Sequence, residues 1–113
     1  MRFEQILSSR EKRELCGEVF RDRDFVGIDL SGADLRNARF ENVQFVSCNL
    51  GGADLRATQF VLCVLRDVVL SGAQLGENLF YGTTLTEIGG LTEEARRDVV
   101  RAGGAFKPSA SSR

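Results

Sequence analysis

The chain has no histidine, no tryptophan, one proline and only two lysines, Lys12 and Lys107. Losing histidine removes the commonest general base, the commonest metal ligand and the usual switch near neutral pH together. Hydroxyls are present, but no evident base stands ready to activate one, so an enzyme is not expected. The glycines form no phosphate-binding loop, and neither a cofactor nor a metal site is anticipated. No apolar run is long enough to span a bilayer. The charged start, MRFEQILSSREKRE, lacks the apolar stretch and cleavage site of a secretory signal. Three cysteines without C-x-x-C spacing argue against a disulfide framework, and reduced thiols point to the cytoplasm. A net charge of −1, from 15 basic and 16 acidic residues, leaves no basic field for direct nucleic-acid binding.

What the chain does have is a period of five. Phe20, Phe25, Leu30, Leu35, Phe40, Phe45, Leu50, Leu55, Phe60, Leu65, Leu70, Leu75, Phe80 and Leu85 follow one another at that spacing without a gap. Two places before most of them sits a small or β-branched residue: Ile28, Ala33, Ala38, Val43, Cys48, Ala53, Thr58, Cys63, Val68 and Ala73. An α-helix advances about 500° in five residues, so the anchors would smear around it. In a flat strand, odd spacing would send successive anchors to opposite faces. One shared interior results only if the chain turns a corner at each step. The large residue and its small predecessor then both point inward.

Four such sides close a square, which demands a second period of twenty. It is present in Phe20, Phe40, Phe60 and Phe80, and in the segments SGADLR (31–36), GGADLR (51–56) and SGAQLG (71–76). Stacked at the inter-strand spacing of about 4.8 Å, those phenylalanines should form a ladder of offset rings. Gly27, Gly32, Asn37, Asn42, Gly52, Gly72 and Gly82 supply the backbone latitude that corners need. A leucine-rich repeat, also near twenty residues, would need L-x-x-L-x-L spacing, which is absent.

The stretch 18–87 resembles the pentapeptide-repeat family, with consensus A-(D/N)-L-x-x. Ala33-Asp34-Leu35 and Ala53-Asp54-Leu55 match outright; Ala73-Gln74-Leu75 and Cys48-Asn49-Leu50 are close variants. The resemblance implies an all-β solenoid: a right-handed quadrilateral parallel β-helix, here of about three and a half coils. Glu18, Arg23 and Asn78 are poor inward residues, so the first and last sides should be imperfect.

An open-ended solenoid needs covered ends. Residues 1–17, with Phe3, Ile6 and Leu7 at helical spacing, read as an N-terminal helical cap. Residues 88–104 read as a C-terminal helix: Thr92 is an N-cap, Glu93 and Glu94 fill the first turn, and Arg96, Arg97 and Arg101 lie towards the far end. Leu91, Ala95, Val99 and Ala102 make its apolar stripe, and Gly103-Gly104 ends it. Residues 105–113 read as a flexible tail.

Outward positions should be polar, yet Val61, Leu62, Val64, Val69, Leu79 and Tyr81 fall on them in the later coils. Either the C-terminal helix folds back over this surface or a second copy of the chain covers it as a homodimer. Asp34 above Asp54 and Arg36 above Arg56 read as a self-compensating charge ladder. Cys48 and Cys63 are expected to be inert core thiols on different sides of the square, with Cys16 near the N-terminal cap. The expected role is a small interaction or scaffold module for a protein partner, at no membrane. The resemblance implies an alternative, a DNA mimic that binds a type II topoisomerase such as gyrase. For that the charge is modest, because residues 18–87 carry ten acidic and six basic side chains.

Overall fold

Every fifth residue from Asp22 to Glu87 has a left-handed backbone, with φ between 53° and 70°. The computed structural model, which describes residues 8–108, thus bends the chain at fixed intervals. Glycine fills five of these fourteen corners; the others hold Asp22, Asn37, Asn42, Ser47, Ala57, Leu62, Asp67, Glu77 and Glu87. Four of the short polar ones bond to each other between coils: Asn42 donates to Asp22 and Ser47 to Asp67. Between corners the chain is extended and buries its central residue.

The extended pieces are short because only four residues separate successive corners. In chain order the elements are α1 (Ser9–Arg13), β1 (Val19–Arg21), β2 (Asp24–Val26), β3 (Arg39–Glu41), β4 (Gln44–Val46), β5 (Gln59–Val61), β6 (Val64–Val69), β7 (Thr84–Gly89), α2 (Glu93–Arg101) and β8 (Ala105–Phe106). All pairings are parallel. One sheet runs β1-β3-β5 and the other β2-β4-β6-β7-β8. Register is twenty residues throughout the repeat, as in Phe20↔Phe40↔Phe60 and Phe25↔Phe45↔Leu65↔Leu85. Isolated bridges carry the same register through the third side (Asp29↔Asn49↔Val69) and the fourth (Asp34↔Asp54↔Gln74).

The interior is a set of columns. Successive rings of Phe20, Phe40, Phe60 and Phe80 stack with centroids 5.0, 5.3 and 5.0 Å apart and planes 11° from parallel. Phe45 meets Phe40 edge-on at 5.0 Å, which ties the first side to the second. The inward residue two places before each anchor follows a rule of its own. Cys48, Thr58, Cys63, Asn78 and Thr83 each donate to the backbone carbonyl twenty-three residues earlier: Phe25, Leu35, Phe40, Leu55 and Phe60. These polar groups are therefore satisfied inside an apolar core. Asn78, a poor inward residue on sequence grounds, is accommodated this way and also accepts from the Gly76 amide.

Both ends of the repeat meet helical segments. At the N-terminal end, α1 opens with a reciprocal capping box between Ser8 and Glu11. Its Lys12 carbonyl accepts the Asp34 amide at 3.0 Å, and Leu15 is buried. Phe3, Ile6 and Leu7 lie outside the described residues. At the other end, Thr92 caps α2 by accepting the Ala95 amide, Val99 is buried, and the Ala102 carbonyl accepts the Phe80 amide.

Two boundaries move. The twenty-residue register continues past residue 87, because Ile88 pairs with Val68 and Gly89 with Val69; the helix occupies only Glu93–Arg101. The segment read as a tail begins with a strand, since Ala105 and Phe106 pair with Thr84 and Leu85. Phe106 supplies the reason: it is apolar, packs on the core, and carries the Arg96 guanidinium 4.0 Å above its ring.

Candidate functional site

The six outward apolar residues do not form one surface. Val61, Leu62 and Val64 run along the corner between the first and second sides, and register places Tyr81 one coil above Val61. Leu62 and Tyr81 are 57% and 61% exposed, so α2 does not cover this corner. Leu79 lies at the opposite edge of the first side, bridged to Gln59, and Val69 lies on the third side, bridged to Asn49. The patch is therefore a corner of four residues, with Val61 half-buried in it.

Leu62 stands out within it. At φ 54° it is the one large aliphatic residue among the left-handed corners, in a conformation that costs an L-residue about 1–2 kcal/mol. It recovers little of that through burial. Beneath the patch the same corner is charged and hydrogen-bonded: Arg21 pairs with Glu41 at 2.7 Å, and Asn42 donates to Asp22 at 2.8 Å. The corner thus changes from polar to apolar along the stack.

The charge ladder on the fourth side is self-contained. Arg36 grips Asp34 through Nε and Nη2 at 2.9 and 2.7 Å, and Arg56 grips Asp54 at 2.9 and 2.6 Å. Arg36 also reaches Asp54 across the coil at 3.8 Å. Hydrogen bonds from Arg56, reinforced by Arg36, hold the Asp54 carboxyl down to about 2. Arg36 likewise lowers that of Asp34. Bidentate pairs of this kind use up the acceptors an incoming cation would need.

Cys48 and Cys63 are buried on the third and second sides, and burial pushes both thiols up; Cys16 is exposed. Among the described residues no cluster of three potential metal-ligating side chains occurs, and no helix is long and apolar enough to cross a membrane. Sequence reasoning missed Leu15 and Phe106, and it named Leu62 as an outward apolar residue without singling out its left-handed corner. Leu15 stands five residues before Phe20 and continues the anchor frame, the signal that could have found it; residue 62 is in step with the corners Gly52, Gly72 and Gly82, whereas Phe106 lies outside the frame.

The family model for pentapeptide repeats matches residues 19–52 and 48–86, in eight copies, which is more than half of the chain. The chain belongs to the pentapeptide-repeat family. Its fold is accordingly a β-helix solenoid with parallel strands. Similar solved structures include a pentapeptide repeat protein from the Arabidopsis thaliana thylakoid lumen, at 14% identity over 88% of this chain and 86% of that one, TM-score 0.39. Another is a trypsin-treated variant of QnrB1, a plasmid-mediated fluoroquinolone resistance protein, at 15% identity over 93% and 88%, TM-score 0.34. No curated protein matches the chain.

Proposed function

We propose that this pentapeptide-repeat chain is a non-catalytic interaction module, a right-handed quadrilateral prism of about three and a half coils closed by its terminal helices. Its Val61–Leu62–Val64–Tyr81 corner meets a second copy in a homodimer that presents the remaining faces to a protein partner. Leu62 carries the reading: a strained, exposed leucine sits where polar or small residues fill the other non-glycine corners. Strain retained at an exposed position is a pointer to function. Exposed apolar clusters mark association. Three free cysteines fit a reducing, cytoplasmic setting.

A DNA-mimicking role towards a type II topoisomerase would need a continuous acidic face. The aligned acids Asp34 and Asp54 are each neutralised by an arginine, so the geometry does not favour it. Absence of any effect in a gyrase supercoiling assay would remove that role.

Sedimentation at tens of micromolar tests the dimer. The wild type should sediment as a dimer and Leu62→Asn as a monomer with an unchanged circular dichroism spectrum, because asparagine tolerates the left-handed corner. A monomeric wild type would overturn the dimer.

A further inference from the structure

The fourth side ends in an unfinished rung. In the lower coils its amides point to the next coil: Leu35 donates to Asp54 and Leu55 to Gln74, while Asn37 donates to Arg56 and Ala57 to Gly76. In the last coil the equivalent donors are Leu75 and Glu77, and among the described residues neither has an acceptor. The chain that would have supplied one leaves the lattice near Gly90 and forms α2 instead. Leu75 is only half-buried, whereas Leu35 and Leu55 beneath it are 1% exposed. Directly there, a cavity of about 330 Å³ opens between this edge and α2, lined by Leu75, Glu77, Phe80, Val99 and Ala102 among others.

We propose that this edge takes an extended segment of another protein as its next rung, by parallel strand addition. The lattice dictates what such a segment must be. Gln74 shows the pattern, since its amide donates to Ala53 and its carbonyl accepts from Leu55. A docked residue above Gln74 would likewise donate to the Ala73 carbonyl and accept from the Leu75 amide. The residue after it points inward and needs a large apolar side chain to fill the space between Leu75, Phe80 and Val99. The residue before it points inward too and must be small. The carbonyl two places on accepts from Glu77. The occupant is thus a small–any–large apolar peptide, held by main-chain bonds and selected by one pocket.

Residues 109–113, SASSR, contain no large apolar side chain. At the opposite end of the stack, Lys12 of α1 already occupies the fourth side. Every Ala-x-Leu segment of a second copy is locked into its own coils. This inference deepens the interaction-module reading by naming the partner's chemistry. It stands apart from the dimer corner, so Leu62→Asn should leave peptide binding intact.

The test uses the intact, isotopically labelled chain and a synthetic peptide copied from residues 31–37, Ser-Gly-Ala-Asp-Leu-Arg-Asn. The backbone amide signals of Leu75 and Glu77 should shift saturably and gain protection from hydrogen exchange. The same peptide carrying Leu35→Asp should bind about tenfold more weakly or worse. No shift at millimolar peptide, shifts located elsewhere, or equal binding of both peptides would overturn the proposal. So would protection of these amides in the free chain that disappears on truncation after Pro108 or on dilution. The first would assign the edge to the tail and the second to another copy.

Discussion

A β-carbon at Gly82 would lie 2.6 Å from Cδ2 of Leu62, so the leucine rests its side chain where the next coil has none. Gly90 is crowded differently: there a β-carbon would lie 2.5 Å from the backbone nitrogen of Ser71 and would also strike its Oγ. Both glycines are left-handed, at φ 61° and 89°. The difference lies in what can move. A flexible side-chain tip yields and a backbone does not. Gly82→Ala should therefore cost about 1–2 kcal/mol, chiefly for its backbone. Gly90→Ala should cost about 3 kcal/mol or more and unseat α2. Urea denaturation of the two variants gives the comparison.

Phe60 has ring neighbours above and below in its column and is 1% exposed. Phe60→Ala should lower the unfolding free energy on the order of 3–5 kcal/mol, a large part of a small domain's stability. A loss below 1 kcal/mol in chemical denaturation would mean that the column is not what holds the coils together.

How much of this was legible in the sequence follows from which positions the period constrains. Phe20, Phe40, Phe60 and Phe80 recur at twenty residues, and their rings stack at that register. Thr92 could be read as a helix start because its chemistry is local, and its hydroxyl does accept the Ala95 amide. The outward corner was harder. Val69 and Leu79 share the composition of Val61, Leu62, Val64 and Tyr81 but lie on other parts of the prism. Composition marks a residue as outward without saying which outward face it joins. Leu75 shares the anchor pattern yet is half-buried, because nothing in its own pentapeptide reveals that the next coil is missing. Phe106 returns to the second side only after a helix has intervened, and no local period spans that gap.

The thiols give a prediction by exposure. Cys16 is exposed, while Cys48 and Cys63 are buried, with thiols raised by burial and donating to carbonyls. In native buffer a disulfide reagent should titrate one thiol rapidly, and in denaturant all three. Cys63→Thr should be close to neutral, because Thr83 already makes the equivalent bond to Phe60 one coil above.

Acid should weaken the fold through the ladder. The Asp54 carboxyl is held at about 2, below an unfolded value near 4, so its contribution is complete above pH 4 and lost as pH falls towards 2. Asp54→Asn should flatten the stability profile in that window and leave its shape near neutrality unaltered. A profile between pH 4 and 2 identical to the wild type would show that the Arg56 pair contributes nothing.

Twenty residues make one complete storey of the stack. Deleting residues 41–60 joins Phe40 to Val61 in register and should leave a shorter protein that still unfolds cooperatively. Deleting 41–55 instead rotates everything above the cut by one side, sets Phe60 off its column, and should abolish cooperative unfolding. Equal behaviour of the two deletions in thermal denaturation would contradict the four-sided repeat on which the fold, the corner patch and the unfinished rung all depend.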